Sequence, residues 1–100
     1  MEGIGPGELV RRFLSGRSPA TARAYAADLE DLARFLGTSI EDAVRSLLLG
    51  PESARRRLLE YAVDLRRRGL APATRRRRLA TLRALLGMAR EQGMITWAVE

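Results

Sequence analysis

Between Leu70 and Ile95 the chain reads LAPATRRRRLATLRALLGMAREQGMI, and no other stretch restricts its fold as strongly. Leu79, Leu82, Leu85, Leu86 and Ala89 recur at the three-and-four spacing of one helix face. Pro72 suits a first helical position, where its missing N–H costs nothing. Gly93 suits the stop. One long helix is expected here, and its first turn is electrostatically adverse. Arg75, Arg76, Arg77 and Arg78 stand at the positive end of the helix dipole and repel one another. No Asp or Glu lies within four positions of any of them, so no pair along the helix relieves them. From Leu65 to Arg90 there are nine arginines and no acidic residue. An external polyanion would relieve that charge.

The rest of the chain supplies the same kind of element. Met1–Pro6 is rich in Gly and Pro and is expected to be a flexible or loosely docked N-terminus. A short helix over about Gly7–Leu14 presents Leu9, Val10, Phe13 and Leu14. Ser18-Pro19 then makes a strong start signal. Tyr25, Leu29, Leu32, Phe35 and Leu36 follow as the cleanest amphipathic stripe, with Asp28, Glu30 and Asp31 expected off the apolar face. Gly37 closes that helix. Ser39 begins a third, with Asp42 completing a variant capping box, and Gly50-Pro51 separates it from a fourth over about Pro51–Arg68. In the fourth, Leu58, Ala62 and Leu65 make the inner stripe, flanked by Leu59 and Tyr61. Its arginines are partly neutralised in place: Arg56 is four positions from Glu52 and from Glu60, and Asp64 is four before Arg68. Arg55–Arg57 and Arg66–Arg68 are therefore read as solvated. No stretch alternates apolar and polar residues as a strand does. The expected fold is all-α, a compact bundle of four to five helices.

Charge and composition narrow the partners. The 100 residues carry a net charge of +6 and a pI near 11.3, which points to nucleic acid, an anionic surface or an acidic protein. All 18 basic residues are arginine, and there is neither cysteine nor histidine. No disulfide, thiolate metal site, metal or cofactor is expected. MEGIGPGELV lacks the charged and apolar regions of a signal peptide, and no apolar run approaches a membrane span, so no membrane partner is expected. The expected setting is cytoplasmic, beside the nucleoid.

Two segments resemble a known family. In SPATARAYAADLEDLARFLG, the residues Ser18, Thr21, Tyr25, Asp28, Leu29, Phe35 and Leu36 match a pattern of the N-terminal core-binding, SAM-like domain of tyrosine recombinases, the phage integrases and Xer-type resolvases. Thr74, Arg78, Leu79, Ala80, Thr81, Leu82, Arg83, Leu85 and Leu86 resemble that domain's last helix, and Gly93 and Ile95 its Gly-x-Ile turn. Trp97-Ala98 stand where the family usually carries Asn-Pro. The resemblance spans about Glu8–Ile95. It implies a core-binding domain over residues 7–95 and the start of a linker over 96–100, leading to a catalytic domain that these residues do not include.

What the family implies is a clamp on double-stranded DNA, in which this half lays two helices near the major groove and helps place other recombinase protomers. The catalytic domain of the same polypeptide does the cutting, through a tyrosine and a 3'-phosphotyrosyl intermediate. That chemistry needs histidine and lysine, which this chain lacks, so no catalytic residue is expected in it. The candidate DNA-binding residues are Thr21, Arg23, Thr74, Arg75, Arg76, Arg77, Arg78 and Arg83. Arginine suits phosphate oxygens or guanine edges. Thr21 and Thr74 read equally as helix caps and as phosphate contacts. Ala80, Ala84 and Gly87 form a small-residue stripe whose commoner meaning is close helix packing. Tyr25 and Tyr61 read as core, and Trp97 as a cover for the bundle end or a contact with the further domain. Two other functions fit the composition: a stand-alone basic DNA-binding protein, and a helical protein-interaction module with an acidic partner. The isolated chain is expected to be a monomer that binds DNA weakly and with little sequence preference.

Overall fold

All four prolines open helices. Pro6, Pro19, Pro51 and Pro72 are the first residues of α1 (Pro6–Leu14), α2 (Pro19–Leu36), α4 (Pro51–Arg67) and α5 (Pro72–Glu91). Only α3 (Ile40–Leu47) starts without one. The fixed φ of proline is already helical, and the residue before it is pushed into extended backbone, which sets each boundary to within a residue. Ala71, at φ −58° and ψ 146°, is such a residue, and α5 begins at Pro72, the first helical position expected. These elements belong to a computed structural model that describes residues 3–99; there is no strand among them. Met1 and Glu2, within the expected flexible N-terminus, lie outside the described residues, as does Glu100 in the expected linker. Of the remaining N-terminal residues, Ile4 packs against the core and Pro6 is already helical.

Caps follow the sequence closely. The Ser18 hydroxyl accepts the Thr21 N–H at 3.2 Å, and the Ser39 hydroxyl accepts the Asp42 N–H at 3.1 Å. Gly37 takes left-handed backbone at φ 70°, which lets the Thr38 N–H turn back to the Ala33 carbonyl at 3.0 Å. Gly93, at φ 77°, does the same after α5.

The five helices bury one apolar cluster. Leu9 and Phe13 of α1, Leu29 and Leu32 of α2, Val44 and Leu47 of α3, Tyr61 and Leu65 of α4, and Leu82 and Leu85 of α5 are all essentially inaccessible. α3 packs on α1, α2 and α4, while α5 crosses α1, α2 and α4. The Cα radius of gyration, 12.9 Å, is that of a well-packed 100-residue domain. Tyr25 is half-buried rather than fully core. Its ring stacks on Phe13 with centroids 4.8 Å apart, and the Arg17 guanidinium covers both rings.

Three expectations about side-chain placement are corrected. Asp28 and Asp31 are not off the apolar face; they are 1% and 6% exposed. The stripe of Ala80, Ala84 and Gly87 is exposed, so no described helix packs against it. In α4 the pair formed along the helix is Arg57–Glu60 at 3.1 Å rather than one from Arg56, while Arg68–Asp64 forms as expected at 3.0 Å.

Candidate nucleic-acid interface

The two buried aspartates explain where half of the arginine run goes. A helix advances by about 100° per residue, so four consecutive side chains cannot share a face. Arg77 and Arg78 turn toward α2. Arg77 Nη2 lies 3.1 Å from Asp28 Oδ1, and Arg77 Nη1 donates to Asp28 Oδ2 at 3.3 Å. The Thr81 hydroxyl donates to the same Oδ2 at 2.7 Å. Arg78 Nη1 lies 3.0 Å from Asp31 Oδ2. Asp31 also receives both ends of the Arg68 fork, at 3.0 and 2.7 Å, and the hydroxyl of Tyr61. A polar seam therefore joins α2, the end of α4 and the start of α5. No pair along the helix relieves the run, as expected, but for its second half the relief comes from within the chain rather than from an external polyanion: the partners lie 47 to 50 positions away in sequence.

The seam shifts its own titrations. Hydrogen bonds from Arg68, helped by Tyr61 and by the charge of Arg78, hold the Asp31 carboxyl well below the usual carboxylate range against the opposing push of burial. Burial, with the neighbouring Asp31, raises the Tyr61 phenol. Asp31 in turn raises Arg68. The Asp28 side of the seam is less complete. Its Oδ1 is near both guanidinium groups but on the line of no hydrogen bond, and the buried Nε of Arg78, 3.9 Å away, also lacks one.

Arg75 and Arg76 point the other way. Neither has a carboxylate partner among the described residues. Together with Arg66 they line a cleft of about 200 Å³ between α4 and α5, floored by Ala62, Pro72 and Leu79. Arg66 was read from sequence as solvated; only the packing of α4 on α5 brings it to the run. Thr74 lies in the first turn of α5, next in sequence to Arg75. That helix has no side-chain cap, because Ala71 stands at its cap position, so its first N–H groups are left for an outside acceptor. The start of α2 differs. Ser18 caps it and also donates its hydroxyl to Thr21 at 3.0 Å, so Thr21 is engaged within the chain. Arg23 is exposed one turn into α2. Arg83 is exposed five residues beyond the arginine run, where it borders a separate hollow with Leu86, Arg90, Trp97 and Val99. Trp97 is thus a half-buried cover on α5. The structure brings together Thr74, Arg75 and Arg76, adds Arg66, places Arg77 and Arg78 behind them, and sets Thr21, Arg23 and Arg83 apart.

The bundle is basic, and three arginines without a carboxylate partner among the described residues, Arg66, Arg75 and Arg76, meet beside the uncapped start of α5. Residues 12–93 match the family model of the phage integrase N-terminal SAM-like domain, and the chain belongs to that family. No curated protein and no solved structure matches it. Among the described residues no helix is long and apolar enough to cross a membrane.

Proposed function

We propose that this domain holds double-stranded DNA at the recombination site of a tyrosine recombinase, as the half of the clamp that grips and orients without cutting. The observation that carries this reading is the division of the arginines. Arg66, Arg75 and Arg76 converge on one cleft with no counter-charge among the described residues, beside the uncapped N-terminus of α5. Backbone N–H groups at a helix start, a hydroxyl from Thr74 and three guanidinium groups form the donor set that a phosphate run requires. Arg77, with its side chain 48% exposed, and the exposed Arg23 and Arg83 extend the same chemistry along α5 and α2. Arg78 and Thr21 contribute mainly by fixing the two helices.

The competing reading, an acidic protein partner for this cleft, is separated by salt. Binding of a short duplex, followed by fluorescence anisotropy, is expected to fall linearly in log–log terms with a slope near −0.9 per phosphate neutralised. Replacing Arg66, Arg75 and Arg76 together by alanine is expected to make the slope shallower by about 2.7. Stability should stay within about 0.5 kcal/mol, because none of the three is held in the fold. An unchanged slope in a folded triple variant overturns the placement of the DNA face.

A further inference from the structure

We propose that the outward face of α4 is a docking groove for an acidic amphipathic helix of a partner protein, adjoining the cleft between α4 and α5 and sharing Ala62 and Arg66 with it. Leu59 and Val63 are 61% and 49% exposed, although each is one helical turn from the next along a single stripe. They stand outside the core and, one turn apart, form a contiguous exposed apolar pair. With Ala62 and the stems of Arg66 and Arg67 they line a groove of about 400 Å³ whose surface is almost wholly apolar. On the α2 side, Phe35 and Val63 continue it into a second hollow of about 310 Å³.

Charge decides the occupant. Arg55 and Arg56 lie on the stripe one turn before Leu59, and Arg66 and Arg67 close it one turn after Ala62 and Val63. None of the four has a carboxylate partner among the described residues. The groove is therefore an apolar strip about two turns long with unpaired arginines at each end. Its complement is a helix with apolar residues at three-and-four spacing and carboxylates before and after them. Duplex DNA fits poorly. It gains nothing from burying Leu59 and Val63, whereas an apolar helix stripe does; Glu60 and Asp64 beside them are already paired with Arg57 and Arg68. A second copy of the chain offers no described helix with that pattern, since the acidic pair Glu41 and Asp42 of α3 is already engaged by Arg45.

The probe is a fluorescent synthetic helix with leucines one turn apart and glutamates at both ends, titrated with the full chain. Saturable binding is expected, weakened about tenfold by glutamine in place of the glutamates and about tenfold by Leu59→Ser with Val63→Ser. Both substituted residues are exposed, so the thermal melt should not move. Arg67→Gln, outside the DNA cleft, is expected to weaken the peptide while leaving duplex binding intact. The proposal is overturned if the glutamate and glutamine peptides bind alike, or if Leu59→Ser with Val63→Ser leaves peptide binding unchanged. It is equally overturned if that variant loses duplex affinity, which makes the groove part of the DNA face. Sedimentation that finds a dimer dissolved by the same variant would assign the groove to a second copy instead.

Discussion

Arg75 and Arg76 on one side of α5, and Arg77 and Arg78 on the other, are the same residue type in consecutive positions, yet they do different work. The outer pair faces a cleft with no carboxylate partner in sight. The inner pair meets two aspartates that are almost completely buried. The difference teaches that a charge run on a helix is not one feature. Rotation divides it, and the neighbouring helix decides which members remain free for a ligand. The inner pair is also what makes the outer one possible: with Arg77 and Arg78 neutralised, the first turn of α5 carries only part of its apparent repulsion.

Breaking the inner side should have the largest effect. Asp31→Ala leaves Arg68, Arg78 and the Tyr61 hydroxyl without their common acceptor, and is expected to cost about 3 kcal/mol. For a domain of this size that lowers the melting temperature by roughly 12–24 °C. Urea denaturation at neutral pH measures it; a loss below about 1 kcal/mol would mean that the seam is only a surface ion pair.

Asp28→Asn sharpens the comparison by turning an inner arginine outward. The amide keeps an acceptor for Thr81 but removes the charge that holds Arg77. The expected cost is about 1–2 kcal/mol. Duplex binding should become more salt-dependent, with a slope steeper by up to about 0.9 as the half-exposed Arg77, no longer shared with Asp28, is released fully to a phosphate. A shallower slope would show instead that Arg77 needs Asp28 to be aimed.

The smallest effect is in pH. Asp31 has a folded pKa below its unfolded one, so its stabilisation is complete above the ordinary carboxylate range and is lost as pH falls through that range and below. Tyr61 is shifted the other way. Its stabilisation is present below the ordinary phenol pKa and declines as pH rises beyond it. The stability gap between the native chain and Asp31→Asn is therefore expected to narrow in acid. Part of the alkaline loss should vanish in Tyr61→Phe. Melting curves across pH check both.

Most of the fold was legible in the chain because its signals are local. Four prolines, two serine caps and the glycines at 37 and 93 fix the helix ends, and the apolar stripes name most of the core. The seam was not legible. Asp28 and Asp31 sit three apart beside the stripe of Leu29 and Leu32, which places them on one flank, but their partners are distant and only the crossing of α2 with α5 unites them. Arg66 joins Arg75 and Arg76 in their cleft for the same reason. Leu59 was read as flanking the inner stripe of α4. The buried face of α4 is made by Ala54, Leu58, Tyr61 and Leu65, and at about 100° per residue Leu59 falls well outside it.

The fork of Arg68 on Asp31 has a consequence for shape. Leucine contacts tolerate sliding, because dispersion depends on distance and hardly on direction. A planar guanidinium on a carboxylate has a required direction as well as a required distance. The angle at which α2 meets α4 and α5 is thus set by bond vectors at one end of the bundle, independently of how the apolar side chains settle. Arg68→Lys would keep the charge and lose the direction, leaving the helices attracted but free to swivel.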